Sequence, residues 1–174
     1  MDLEAISIAD SIGNIGEISI KEKLETPSVY AIRNLEKIGI ISFENNMKYL
    51  KRSVIISLGE IGETAAANKT RYLLFDLLYM FYEIIQIAFE EPEEKPEEEI
   101  FDDDDEEISE APEDLVMLVV NPMIRIGIIS FEQKMTGELR EVRKYLKNIK
   151  KIAVKHKRID VITMINDFID RNPI

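Results

Sequence analysis

Hydrophobic residues recur along most of the chain at spacings of three and four residues, which is the pattern of an amphipathic helix. Turn-forming residues interrupt this pattern at regular intervals, so we predict an all-α protein of about seven helices. A short final helix is expected to close the core with its apolar residues, which are Val161, Ile162, Ile165, Phe168 and Ile169. The predicted helices cover approximately residues 2–20, 27–44, 47–67, 71–91, 112–134, 137–155 and 160–171.

An Ile-Gly pair returns every 23 residues and sets the period of the helices. The pairs are Ile15-Gly16, Ile38-Gly39 and Ile61-Gly62, and Ile126-Gly127 restarts the pattern later in the chain. A glycine inside a helix costs roughly 0.5 to 1 kcal/mol relative to alanine. We therefore expect the pairs to mark places where neighbouring helices approach closely, and the alternative is that each pair ends a short helix. Serine or alanine recurs in a second phase of the repeat, at Ser19, Ser42, Ala65, Ser130 and Ala153.

Turn signals fall only once in each period, which favours one continuous helix per 23 residues. Asn45-Asn46 can close helix two because asparagine tolerates the left-handed conformation found at helix C-termini, and Asn68-Lys69 follows in the same phase. Thr26 and Pro27 suit the N-cap and the first residue of helix two. Pro122 stands inside helix five, where it predicts a kink or a break because proline lacks the backbone N–H.

A short acidic tract supplies more than the whole net charge of -12. Residues 90–114 hold 16 acidic side chains and 1 basic side chain, and they include two prolines flanked by like charges and a third near the end. This composition is typical of a solvated loop or a disordered linker. We therefore divide the chain into helices one to four at 1–91, an acidic loop at 92–110, and helices five to seven of the same array at 111–174.

The segment VIISLGEIGETAA, residues 54–66, resembles the LGxIG core of HEAT-like repeats, including those of the bilin lyase type. The likeness covers residues 1–91 and, less clearly, 115–171. Two helices of 23 residues make a unit of about 46, within the length range of HEAT and armadillo repeats. The resemblance implies a HEAT-like α-solenoid, a stack of about seven antiparallel helices that displays a binding surface. It brings no catalytic residues, because the repeat motif is structural.

Helix four is apolar on all sides, so it is either buried in the array or binds a partner. A membrane span would place Asp76 and Glu83 in hydrocarbon, at a few kcal/mol each, and we disfavour it. Peripheral membrane association through this helix remains an alternative. The residues that we predict for a partner or for self-association into a homodimer are Leu74, Leu78, Phe81, Tyr82 and Ile85.

Basic residues recur at helical spacing along helix six, and we call this set the basic stripe: Arg140, Arg143, Lys144, Lys147, Lys151 and Lys155. The simplest interpretation is the solvated face of an amphipathic helix. A stripe of this kind can also bind an acidic peptide or the phosphates of a nucleic acid. The acidic tract of the same chain is a natural competitor, since a tether keeps its local concentration near the millimolar range.

The sequence offers little chemistry for catalysis. It has no cysteine, its single histidine, His156, stands among like charges, and it has no nucleophile motif or phosphate-binding glycine loop. The acidic run 102–107 lacks the glycine turn of a calcium loop. We expect no catalytic residue, no cofactor and no metal site. The charged composition, poor in glutamine, is typical of proteins from hot environments, and the N-terminus without a signal-like segment predicts a cytoplasmic location.

These observations favour a non-enzymatic helical-repeat scaffold for protein–protein interaction, whose partner is another protein or a second copy of the chain. The first alternative is a nucleic-acid-associated accessory protein that uses a basic helix shielded by the acidic tract. The second alternative is peripheral membrane association through helix four.

Overall fold

The computed structural model describes residues 2–90 and 114–174, and every element within these two ranges is an α-helix. This confirms the prediction of an all-α protein with one helix in each period. The predicted acidic loop at 92–110 lies outside the described residues. The helices are α1 (Asp2–Lys21), α2 (Glu25–Glu44), α3 (Lys48–Ala67), α4 (Arg71–Glu90), α5 (Leu115–Glu132), α6 (Thr136–Lys155) and α7 (Ile159–Arg171).

The helices stack in two layers. The odd-numbered helices form one layer, in which α1 packs against α3, α3 against α5, and α5 against α7. The even-numbered helices form the other, where α4 packs against α6, while α2 makes its main contacts with α1 and α3. Consecutive helices also pack together across the layers, from α1 with α2 to α6 with α7. A continuous apolar core therefore runs through the stack, as expected for helical repeats.

The five turns that the structure describes between consecutive helices share one hydrogen-bonding pattern. In the first, the Leu24 N–H donates to the Ser19 carbonyl at 2.7 Å and the Lys23 N–H donates to the Ile20 carbonyl at 3.0 Å. These two bonds define a Schellman motif, which requires a left-handed residue after the helix. In each turn, the hydrogen bond to the carbonyl five residues earlier is accepted by the small residue of the second repeat phase: Ser19, Ser42, Ala65, Ser130 and Ala153.

The left-handed residues of these turns are never glycine. The prediction for Asn46 is confirmed, since it has a φ of 50°. The other turns place lysine at this position, although a left-handed conformation costs a non-glycine residue roughly 1–2 kcal/mol. The two hydrogen bonds of each turn offset this cost. The five residues with positive φ are Lys23, Asn46, Lys69, Lys134 and Lys157.

Three predictions about helix ends and breaks are corrected. Helix α2 begins at Glu25 with Leu24 at its N-cap, so Thr26 and Pro27 both lie inside its first turn, where proline removes no helical hydrogen bond. Helix α5 begins at Leu115, later than predicted, because the Asp114 carboxylate caps it by accepting the Val116 N–H at 2.9 Å.

The sequence predicted a kink or a break at Pro122, and the break does not occur, since α5 continues through this residue as one helix. Pro122 is buried against α3, where its Cβ would lie 3.0 Å from a Cβ placed on Gly59. Packing of the ring into the space left by this glycine offsets the hydrogen bond that proline cannot make.

The glycines of the Ile-Gly pairs are places of close helix approach, as predicted. A Cβ on Gly16 would lie 2.6 Å from Cδ1 of Ile61, and a Cβ on Gly62 would lie 2.6 Å from Cδ1 of Ile126. Each of these glycines therefore accommodates a side chain of the next odd-numbered helix. The contacts form a series along the odd layer, with Ile61 on Gly16, Ile126 on Gly62 and Phe168 on Gly127.

Candidate partner-binding groove

The basic stripe of α6 borders a shallow groove on the surface. The opposite side of α6 is buried in the core through Val142, Leu146 and Ile149, which fixes the direction in which the basic side chains project. The groove has a volume of about 380 Å³, and we call it the basic groove. Its lining consists of Arg140, Arg143, Lys144, Lys147, Asn148, Lys151 and Ile174.

Five of the six predicted stripe residues line this groove, and one does not. Lys155 is exposed at the end of α6, outside the groove. Lys150, on the neighbouring side of the helix, donates to the Asn166 side-chain oxygen at 2.6 Å and so contacts α7. The sequence thus predicted the cationic side chains, but their grouping into one groove depends on the segment after α7.

That segment is held against α6 by specific hydrogen bonds. The Arg143 guanidinium donates to the Asn172 backbone carbonyl at 2.6 Å, and the buried Asn172 side chain donates to the Phe168 carbonyl at 2.8 Å. These bonds place Ile174 in the wall of the groove, where it is 56% exposed. Sequence reasoning missed this wall, because nothing in the sequence signals the long-range bond from Arg143.

The groove keeps an excess of positive charge. Lys144 pairs with Glu141 at 2.9 Å, and the hydrogen bond and the charge of Glu141 raise the pKa of Lys144. Lys151 donates to the neutral side chain of Asn148 at 3.3 Å. Within residues 2–90 and 114–174, no acidic side chain pairs with Arg140 or Lys147. The arrangement can therefore attract an anionic group.

Helix α6 is fixed on α4 by contacts at both ends. Arg71 at the start of α4 pairs with the buried carboxylate of Glu138 at 3.0 Å. At the other end, the rings of Phe89 and His156 lie 5.0 Å apart. His156 is exposed at the end of α6. The helix that carries the basic groove is therefore held in place at both of its ends.

The predicted partner surface on α4 is wrong, because its residues belong to the core. Leu74, Leu78, Phe81 and Ile85 are each 0% exposed, and Tyr82 is partly buried with its ring 5.5 Å from that of Tyr145. Helix α4 lies against α3, α5 and α6 and also touches α2. The aromatic side chains that it does expose are Tyr72, Phe75 and Tyr79.

A second groove, which the sequence did not predict, lies between α1 and α3 and has a volume of about 550 Å³. Here the Ser53 hydroxyl donates to the Asp10 carboxylate at 2.6 Å. Burial, followed by the charges of Glu17 and Glu63, raises the pKa of Glu60 in its wall. Among the described residues, no group of acidic or histidine side chains is arranged to hold a metal ion.

Two helices, α4 and α5, are long and apolar enough to cross a membrane by length and composition alone. This is weak evidence, since core helices pass the same test, and both helices pack against several neighbours in the stack. No protein-family model, curated protein or solved structure matches the chain.

Proposed function

We propose that this protein is a non-enzymatic, HEAT-like interaction scaffold that binds an acidic segment of a partner protein in the basic groove of α6. The observation that carries the proposal is the convergence of five cationic side chains on one groove. Two-helix units of about 46 residues and the LGxIG core of α3 support the HEAT-like assignment.

The dimensions of the groove suit a short peptide. From Arg140 to Lys151 its cations span 11 residue steps of one helix, or about 16 Å at 1.5 Å per residue. An extended peptide of about five residues covers this length. Ile174 adds an apolar contact, so the preferred ligand combines carboxylates with at least one hydrophobic side chain.

Binding of a nucleic acid to the same cations is the second candidate. Proteins that bind single strands usually stack bases on aromatic side chains in addition to neutralising phosphates. The described residues that line the basic groove include no aromatic side chain. For this reason we favour an acidic peptide over a nucleic acid, although the electrostatic attraction serves both.

A matched pair of charge reversals tests the proposal. Lys147→Glu changes a cation inside the groove, whereas Lys155→Glu makes the same change on the same helix outside it. We expect Lys147→Glu to weaken binding of a fluorescent Asp/Glu-rich peptide by about tenfold or more, measured by anisotropy, and Lys155→Glu to weaken it much less. Equal losses in both variants would show that binding reflects general charge, and preferential binding of single-stranded DNA or RNA would favour the second candidate.

A further inference from the structure

The outward side of α1 repeats the surface with which α3 packs onto α1. On α3, Ser53 donates a hydrogen bond to Asp10, Ser57 faces Gly13, and Ile61 lies on Gly16. All three side chains are buried, and Ile61 is 0% exposed. This surface is therefore built to pack against a neighbouring helix.

Forty-six residues earlier, one two-helix unit along the chain, α1 carries Ser7, Ser11 and Ile15 at the equivalent positions. There the same residue types are exposed, with Ile15 at 53%. Ile8 and Ile18 extend the surface and are 55% and 58% exposed. We call Ile8, Ser11, Ile15 and Ile18 the α1 seam, and none of the described helices covers it.

The other end of the described stack is different. The exposed residues of α7 include Thr163, Asp167 and Asp170, which give it a polar outer face. Terminal repeats of a helical array normally carry such a polar face because it keeps the end soluble. The α1 seam is apolar by contrast, since three of its four residues are isoleucines.

The seam is self-complementary about a point near Gly13. Consecutive seam residues are separated by three, four and three positions. This order of spacings is the same in both chain directions. Two antiparallel copies related by a two-fold axis would place Ile8 opposite Ile18 of the partner subunit. Ser11 would lie opposite Ile15 of the partner subunit, which pairs a small side chain with a large one on both sides of the axis.

We propose that a second copy of this chain packs its own α1 seam antiparallel against the first, which joins two stacks end to end through their odd layers. A head-to-tail contact with α7 fits less well, because the exposed Asp167 and Asp170 of α7 would lose hydration against the isoleucines of the seam. The acidic tract is a poor occupant, because carboxylates lose hydration on an apolar surface. One helix pair is a small interface, so the dimer depends on concentration.

Complementary charges introduced across the two-fold axis test the geometry. Ser11→Glu places a negative charge in the seam, and Ile15→Lys places a positive charge there. In a dimer of two identical variant chains, the introduced charge lies opposite an uncharged residue of the second copy. We expect the wild-type chain to dimerise in sedimentation equilibrium at high concentration, and either variant alone to show at least a tenfold weaker association. An equimolar mixture of the two variants should dimerise again, because the carboxylate of one chain then lies opposite the ammonium of the other.

Ile159→Asp is the matched control, because Ile159 is 68% exposed but lies on α7. This variant should dimerise like the wild type, and circular dichroism should show that all variants remain helical. A wild-type chain that stays monomeric up to about 1 mM would overturn the proposal. It would also be overturned by a dimer that persists in both seam variants, or by a mixture that fails to restore association.

Discussion

Ile61 of α3 lies on Gly16 of α1 so closely that a Cβ at Gly16 would come within 2.6 Å of the Ile61 Cδ1 atom. The same Cβ would lie 3.1 Å from the Cβ of Ala31 on α2. The glycine thus sets the distance from α1 to α3 within the odd layer and from α1 to α2 in the even layer. Any residue larger than glycine at position 16 would collide with the side chain of Ile61.

Gly16→Ala should therefore destabilise the protein despite the better helix propensity of alanine. The gain in propensity is about 1 kcal/mol, whereas overpacking typically costs about 1–3 kcal/mol, so we expect a net loss of about 1 kcal/mol in the free energy of unfolding. Urea denaturation monitored by circular dichroism measures this change.

The double variant identifies the cause. Ile61→Val removes the Cδ1 atom, so Gly16→Ala should cost less in that background, where only the weaker contacts with Cγ1 of residue 61 at 3.0 Å and with the Ala31 Cβ at 3.1 Å remain. Gly137→Ala is the matched control, because a Cβ there meets no atom within 4 Å. If Gly16→Ala costs the same with isoleucine or valine at position 61, the contact does not determine the effect.

Arg158 links the first turns of two helices, and its contribution should depend on pH. Its guanidinium pairs with Asp160 at 2.6 Å and with Asp114, the N-cap residue of α5. The hydrogen bond from Arg158 lowers the pKa of Asp160 below its usual value. A lowered folded-state pKa means that the stabilisation is complete above the unfolded-state pKa of about 3.9 and is lost as pH falls through the folded-state value.

We expect Arg158→Ala to lower the free energy of unfolding by about 1 kcal/mol at pH 7, since both pairs are partly exposed to solvent. The difference from wild type should shrink below the usual pKa of aspartate, as measured by urea denaturation between neutral and acidic pH. Arg33→Ala is a suitable control, because Arg33 makes an exposed pair with Glu36 of the same helix at 3.4 Å. A difference that stays constant with pH would exclude the carboxylates as its source.

The acidic tract should compete with external ligands for the basic groove. Deleting residues 93–110, or replacing them with an uncharged Gly/Ser linker of equal length, should raise the affinity for heparin, DNA or an acidic peptide. The reason is that the tethered carboxylates no longer compete for the cations. The gain should be largest at low salt, because screening weakens both interactions. No gain in fluorescence anisotropy at low salt would contradict the shielding hypothesis.

The sequence predicted most of the local structure because the deciding interactions are local. The N–H groups of Asn46 and Met47 close α2 by donating to carbonyls three and five residues earlier. The N–H groups of Lys69 and Thr70 make the same two bonds at the end of α3. Gly62 could be assigned to helix packing, since a mid-helix glycine has a cost that only close approach offsets. The partner helix could not be named, because that depends on the stacking order.

The candidate binding surfaces were harder to predict. Helix α4 is apolar all round, so periodicity could not separate its buried Phe81 from its exposed Phe75, and only the positions of α3, α5 and α6 decide. The basic groove needs Ile174 and the bond from Arg143 to Asn172, which join residues 29 positions apart. The continuation of α5 through Pro122 also depends on a distant residue, because Gly59 of α3 accommodates the proline ring.

The alternation of odd and even helices restricts how the length of such a protein can change. Loss or gain of one 23-residue period would reverse the direction of every later helix and exchange the two layers. A change of two periods would preserve both. The acidic tract lies between α4 and α5, at a boundary between two-helix units, so it lengthens the chain there without altering that parity.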